Sequence, residues 1–560
     1  MKWFAAIMAM LTVLVPGTAQ ADPFAALRAA YSSRDANAAA AAYTSDAVVV
    51  YRYSSTPAER YQGTRAITGS FAALFDQIDV RDTLDLNFRE IYRSDNRVRG
   101  FYRLRIGRSQ TSYGRYDVVI DKSGKFTSDE SSEATRQHFE EASGPLLLAP
   151  DDETLDRLYY SRLTGRYRLP DGCTLVVTQS VVRLFMRNSC TNDWRGLSRI
   201  AGRSWTGGDT ILSQTAKSNV QFAPVEYGPS AWLQITSAAK TIKAIRRDSY
   251  RTEDVTFKSS DGMLLSGTVY IPAGTVGRHP ASVMIHGSGP QDRNGYASII
   301  AVLADEMAAS GRVVLLFDKR GTGESLGDRD RAGFGVLAAD ATAAMDYLSS
   351  RADVDRQLIG FAGSSQAGWV AAKAIADGAK PADVFLLGAA GAALTVADQN
   401  IYNTKIQMRC ADIAASDIDL ALRQQAAFFD FLRDPSAASE LDRLTAEART
   451  RPALIDWLFP NSSTTDRSAG AWFVVLDPDF DPLPVWKRYR GNAHFVFSEF
   501  DNSTPTLVAR GRLKHQSHRV TTMRSAQHLG LLTTDICKDA LTDLSKFSPE
   551  LFKQIQRFSM

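Results

Sequence analysis

Leu358-Ile359-Gly360-Phe361-Ala362-Gly363-Ser364-Ser365-Gln366-Ala367-Gly368-Trp369 decides how the rest of this chain is read. A short apolar strand runs into an abrupt turn, and the alanine-rich run Val370-Ala371-Ala372-Lys373-Ala374-Ile375-Ala376 continues as a helix. Ser365 stands at the apex of the turn. There its hydroxyl is clear of neighbouring side chains, and the backbone N–H of the next residue, Gln366, is placed to meet a developing oxyanion. Small residues two before and two after the serine let the backbones pack this closely. They are Gly363 and Ala367, the second an alanine where glycine is usual, with Gly368 directly behind it. A Gly-x-Ser alone is more often a surface turn than a nucleophile, so the reading rests on its place between strand and helix and on partners elsewhere in the chain.

Working outward, apolar strand runs alternate with helices from about Tyr250 to the end. A hairpin, Glu253 to Phe257 and Met263 to Ile271, turns at Ser259-Ser260-Asp261-Gly262. Ser282 to Ile285 is followed by a helix from Ala297 to Ser310, and Val313 to Phe317 by one from Val336 to Arg351. Val384 to Leu387, His494 to Phe497 and Val520 to Met523 complete the strands. Continuous apolar strands alternating with helices predict a doubly wound, mostly parallel α/β sheet covered on both faces. Ligands of such sheets lie at the carboxyl ends of the strands, so the loops after the strands are where chemistry is sought.

Three loops bear on Ser365. His286-Gly287-Ser288-Gly289-Pro290-Gln291-Asp292-Arg293 follows the first inner strand, and its glycines let backbone N–H groups approach a substrate; Ser288 is taken as the second oxyanion donor, with Gly287 as the neighbouring alternative. His286 reads as ordering this loop. After Phe495 to Phe497, Asp501 is the candidate acid, with Glu499, Asp479 and Asp481 behind it. After Val520 to Met523, His528 is the candidate general base, since histidine exchanges a proton near neutral pH. His494 opens a strand, and His515 and His518 sit in a polar segment before one, so all three are mispositioned for that role. The chain order Ser365, Asp501, His528 is that of one triad-bearing fold and not of the chymotrypsin-like or subtilisin-like ones.

On these residues, together with Asp318-Lys319-Arg320-Gly321-Thr322-Gly323-Glu324-Ser325 and Gln527-His528-Leu529-Gly530, residues 251–560 resemble an α/β-hydrolase of the bacterial exported serine hydrolase and esterase group, near the dipeptidyl peptidases and serine aminopeptidases. The resemblance implies hydrolysis of an ester, thioester or amide through an acyl-serine, most simply a carboxylesterase, with no metal or organic cofactor. The Asp318 to Ser325 turn is read as structural, shaping the sheet edge. An insertion at about 394–472 is expected as a helical lid. Its Phe428, Phe429, Phe431, Leu432, Trp457 and Leu458 either line an acyl pocket or form the lid's own core, and the second is favoured. A peptidase with the same triad is the first alternative, though no anchor for a substrate amino terminus is identified. A non-catalytic binding protein is the second.

Upstream, residues 1–21 read as a secretory signal peptide: Lys2, an apolar core from Phe4 to Val15, and Ala19-Gln20-Ala21 as the cleavage site. A periplasmic or secreted protein without stable membrane insertion is expected. Residues 22–140 place helices (Phe24 to Tyr31, Ala38 to Tyr43, Arg65 to Phe75) around and before strands (Ala47 to Tyr53, Thr83 to Tyr92, Val98 to Ile106, Ser112 to Ile120). With Tyr61-Gln62-Gly63 and Gly114-Arg115-Tyr116, this order resembles an α+β NTF2-like (SnoaL-like) cone, for which a binding or docking role is favoured. Asp46, Asp117 and Asp129 are read there as solvated. Residues 145–250 read as a small antiparallel β-rich accessory domain, a spacer that forms or shields the active-site mouth, with runs such as Gly165 to Leu169, Val181 to Met186, Leu212 to Thr215 and Trp232 to Ile235.

Of the four cysteines, Cys173 and Cys190 bracket a hairpin and could staple it, and Cys410 with Cys537 is a looser pairing; four buried thiols are the alternative. The formal net charge of +3 and the lack of a basic stripe interleaved with aromatics argue against nucleic acid as partner. The expected partner is a small-molecule ester or a short peptide. Oligomeric state is not legible.

Overall fold

A computed structural model describes residues 24–559 apart from short stretches, of which the longer are 53–58, 135–138, 140–156, 211–216 and 459–476. The expected signal peptide, the strand at Leu212 to Thr215, His515 and the end of the lid insertion lie outside the described residues. Three units follow one another along the chain.

The first has a six-stranded sheet in the order β2-β1-β6-β5-β4-β3, from β1 Tyr43–Arg52, β2 Glu59–Gln62, β3 Leu84–Arg93, β4 Arg97–Ile106, β5 Gln110–Ile120 and β6 Phe126–Glu133. Only the β1–β6 pairing is parallel. Helices Ala25–Ser33, Ala36–Ala40 and Thr64–Asp76 pack Leu27, Ile67 and Phe71 onto it. The expected helix from Ala38 to Tyr43 is shorter. Asp35 caps it by accepting from the N–H groups of Asn37 and Ala38, and the chain turns to strand at the aromatic and β-branched run that begins with Tyr43. Asp129 is a correction of a different kind. It is not solvated but 8% exposed, facing inward from β6 and accepting a 2.7 Å hydrogen bond from the Tyr43 hydroxyl. Asp117 is half-exposed and pairs with Arg97 and Arg99.

The second unit is not an open sheet. Strands β7 Gly165–Arg168, β8 Thr174–Gln179, β9 Leu184–Asn188, β10 Trp194–Ala201, β11 Ser204–Gly207, β12 Ser218–Phe222, β13 Trp232–Ser237 and β14 Lys240–Arg246 each pair antiparallel with the next, and β14 pairs back with β7 to close an eight-stranded barrel. Closure removes both edges, which an eight-stranded antiparallel sheet of short strands otherwise leaves open. Tyr167, Leu197, Trp205, Val220 and Leu233 fill the interior. Period-two alternation predicts strands but carries no signal for the β14–β7 pairing, which sets Arg246 beside Tyr167 from opposite ends of the unit.

This barrel is fused to the third unit. Trp194 stacks on Phe547 at 4.6 Å, Arg187 donates to Glu306 at 2.8 Å, and Arg166 donates to Asp305 at 2.9 Å. Its described contacts therefore brace the helix Ile299–Ala309 and the C-terminal segment of the third unit. Cys173 and Cys190 are disulfide-bonded at one barrel hairpin.

The third unit is an eight-stranded sheet in the order β15-β16-β18-β17-β19-β20-β21-β22. The hairpin β15 Tyr250–Lys258 and β16 Leu264–Pro272 is antiparallel; β17 His279–Ile285, β18 Val313–Phe317, β19 Val354–Ser364, β20 Asp383–Leu387, β21 Asn492–Ser498 and β22 Arg519–Met523 run parallel. Helices Phe334–Ser350 and Ala367–Ala376 cover one face, and Ile299–Ala309 and Pro549–Ser559 the other. The central strands are buried on both sides, as their unbroken apolar runs require.

The insertion after β20 holds helices Val396–Cys410, Ala415–Arg433 and Ala438–Arg449. Phe428, Phe429, Phe431, Leu432 and Leu458 are buried in a cluster of the insertion's own residues, with Trp457 packed against it. Cys410, the last residue of its first helix, is disulfide-bonded to Cys537 across 127 residues. Replacing both by serine is expected to lower unfolding free energy by about 2–4 kcal/mol, chiefly by freeing the unfolded chain; the denaturant midpoint measures it.

Candidate active site

The turn after β19 is strained. Ser365 sits at φ +55°, a left-handed conformation uncommon for a residue with a side chain. It is held there by its N–H, which donates to the carbonyl of Leu387 at 2.9 Å. A Cβ on Gly363 would come within 2.3 Å of the Ile285 oxygen and 2.6 Å of the Ala367 Cβ. The alanine at 367 is thus accommodated because position 363 has no side chain. Gly368 serves a separate approach, since a Cβ there would meet the Gly391 carbonyl carbon at 2.8 Å.

β20 ends between the serine and the histidine. Leu387 receives the Ser365 N–H, and the next residue, Gly388, lies against His528: a Cβ on Gly388 would sit 3.1 Å from Nδ1. His528 Nδ1 is 2.9 Å and 3.0 Å from the two carboxylate oxygens of Asp501. Asp501 is 1% exposed, and its Oδ1 also accepts from the N–H groups of Ser503 and Thr504 at 2.8 and 2.7 Å. Burial alone would lower the pKa of His528, but the charge of Asp501 and its hydrogen bond outweigh burial and raise it. The Nδ1 contact leaves Nε2 for another partner. Among the described residues, no hydrogen bond joins that imidazole to Ser365 Oγ; such bonds are often loose in the absence of substrate.

The other candidates lie elsewhere. Glu499 accepts from the Ser525 N–H, and Asp479 pairs with Arg433 of the insertion. His494 bonds Thr521 and His518 the Trp486 carbonyl. His286 is buried against Phe317, and burial followed by the charge of Lys319 drives its pKa to about 3, so it stays neutral.

Gln366 follows Ser365 directly and Ser288 lies in the loop after β17, and neither N–H donates to a backbone acceptor among the described residues. Position 287 lies close, since a Cβ there would be 3.7 Å from the Ser365 Cβ. What fixes this loop is a residue of the Asp318 to Ser325 turn. Lys319 directs its buried ammonium at the carbonyls of Gly287 and Gly289, at 3.0 and 2.9 Å, and at Gln366 Oε1 at 2.6 Å. Burial pulls its pKa down to about 7. The next turn is tied in by Arg293, which binds Asp318 at 2.6 Å and Glu324 at 2.7 Å. The available signal was position: Lys319 is the second residue beyond an apolar inner strand, at the carboxyl end of the sheet. With methionine at 319 the segments carrying Gly287 and Gln366 lose their common tether. The expected result is a roughly 10²-fold lower kcat, the scale of a 1 Å misplacement, with a smaller change in KM.

Residues of the insertion reach the same corner. Tyr402 Oη donates to the Asp501 carbonyl at 2.8 Å, and Gln399 Nε2 to the Ser503 carbonyl at 2.8 Å. No group of three or more metal-ligating side chains occurs among the described residues, and no described helix is long and apolar enough to cross a membrane.

An α/β hydrolase is the class of fold that this sheet order, turn and insertion define. A family model described as X-Pro dipeptidyl-peptidase (S15 family) matches residues 261–466, a span that includes Ser365 and ends before Asp501 and His528. An uncharacterised protein of Mycobacterium tuberculosis is 37% identical over 139 residues, covering 25% of this chain and 43% of that protein. An uncharacterised protein of Pseudomonas aeruginosa is 30% identical over 182 residues, covering 32% and 45%. The chain thus spans less than half the length of the curated relatives it matches. Among solved structures, a hypothetical protein from Pseudomonas aeruginosa aligns at 17% identity with a TM-score of 0.36, over 56% of this chain and 93% of that one. Est1E from Butyrivibrio proteoclasticus with bound ferulic acid aligns at 14% and 0.35, over 54% and 97%.

Proposed function

We propose that this chain is a serine hydrolase that cleaves carboxylic esters through an acyl-serine intermediate. Ser365 Oγ attacks the carbonyl carbon while its proton passes to Nε2 of His528. Asp501 holds the imidazole with its proton on Nδ1, and the N–H groups of Gln366 and Ser288 receive the oxyanion. The proton then leaves with the alcohol as the C–O bond breaks, and a water activated by the same imidazole releases the acid. The observation that carries this reading is the pairing of His528 with the buried Asp501, which meets the end of the strand that also anchors Ser365. The proposal extends to an exported protein whose residues 22–140 form an NTF2-like unit, with an ester or short peptide as partner and no nucleic acid.

A fluorophosphonate probe tests it. A single adduct is expected, located by mass mapping to the peptide bearing Ser365. Labelling at another residue, or none, overturns the reading. The match to the X-Pro dipeptidyl-peptidase model favours a second reading, a peptidase acting through the same residues. Turnover of p-nitrophenyl esters against aminoacyl anilides separates the two: faster anilide cleavage selects the peptidase.

A further inference from the structure

The first unit encloses a cavity of about 520 Å³ between its helices and the inner face of its sheet. Its wall is aromatic, including Tyr31, Tyr43, Tyr51, Phe71, Phe88 and Tyr102. Two carboxyl groups break that wall. Asp129 is buried within it, accepting from Tyr43 at 2.7 Å and from Ser131 Oγ at 3.0 Å. Glu59, on the short strand β2, is exposed and accepts from Tyr61 at 2.9 Å. No lysine or arginine lines the cavity among the described residues.

We propose that this cavity binds an organic cation, an ammonium group carried on an apolar or aromatic body. An anionic ligand would meet two carboxyls and no opposite charge. A neutral apolar ligand would displace water from Asp129 and supply nothing in its place, which is costly for a carboxyl group. An ammonium ion gains from the carboxylate and from aromatic ring faces together, an arrangement that recurs wherever alkylammonium groups are recognised. Burial already raises the pKa of Asp129, with the hydroxyls of Tyr43 and Ser131 drawing it partly back. A neighbouring cation favours its ionised form. The volume suits a ligand of several to about twenty heavy atoms. Nothing in this argument depends on Ser365, and the site lies in a different unit.

Calorimetric titration of the full chain with 4-phenylbutylamine and with 4-phenylbutan-1-ol, matched in length and differing in charge, tests the proposal. The amine is expected to bind at least about tenfold more tightly than the alcohol. Asp129→Asn is expected to abolish that preference, and Leu74→Trp, which fills the cavity, to abolish amine binding. Thermal unfolding of each variant reports whether it is folded. Should Asp129→Asn fail to fold, the native amine preference and the Leu74→Trp result decide. Equal or tighter binding of the alcohol, a preference retained in Asp129→Asn, amine binding undiminished by Leu74→Trp, or no amine binding at millimolar concentration overturns the proposal.

Discussion

Alanine at position 365 is expected to lower kcat for a p-nitrophenyl ester by about 10⁶-fold, with KM changed far less. Only the hydroxyl is lost. The Cα remains in the strained turn, since the backbone N–H at 365 still bonds Leu387 and the Gly363–Ile285 contact is untouched. Fold and substrate binding therefore survive, whereas the covalent step does not. If Gln366 and Ser288 form the proposed oxyanion pair, a residual rate above that in water is expected, because their N–H groups still polarise the carbonyl toward attack by water. Comparing kcat, KM and the unfolding midpoint of the two proteins gives the answer. A variant retaining more than about a tenth of native turnover would sink the acyl-serine mechanism.

That the effect is assigned to one hydroxyl reflects how much of the site was legible in the chain. Ser365 and Asp501 follow inner strands and His528 follows the edge strand β22, so a parallel sheet puts all three positions at its carboxyl rim. The insertion's apolar residues were legible as its own core, and Phe428, Leu432 and Leu458 are buried together there. What stayed hidden depends on long-range closure or burial. The barrel exists because β14 finds β7, a pairing that strand periodicity does not encode. Asp129 has polar residues on both sides along β6, so Phe126-Thr127-Ser128-Asp129-Glu130-Ser131 reads as surface; it is interior because it faces the cavity under the helices, where the Tyr43 hydroxyl donates to it. Lys319 reads as a charged turn residue until the loop carrying Gly287 and Gly289 is seen to fold back over it.

Asparagine at position 501 is expected to lower the plateau of kcat by about 10⁴-fold, some 5.5 kcal/mol of transition-state stabilisation, and to move the acid limb of kcat/KM to lower pH. The two effects have separate causes. The substituted carboxamide can present an N–H to Nδ1 of His528, which selects the tautomer with the proton on Nε2, where the ring cannot accept from Ser365. The limb follows the charge. In the native protein the free enzyme must lose a proton from His528 to act, and Asp501 holds that pKa above the ordinary histidine value, so activity rises through a midpoint above about 6.5. With the charge removed, burial acts alone on the imidazole and depresses its pKa, so the midpoint falls below that value. The stability contribution has the same sign: the pair stabilises the fold fully below the unfolded histidine pKa and loses that contribution as pH rises through the raised folded value. Initial rates between about pH 5 and about pH 9 for both proteins measure the shift. An unmoved limb would mean that the Asp501 carboxylate does not supply the charge that His528 feels.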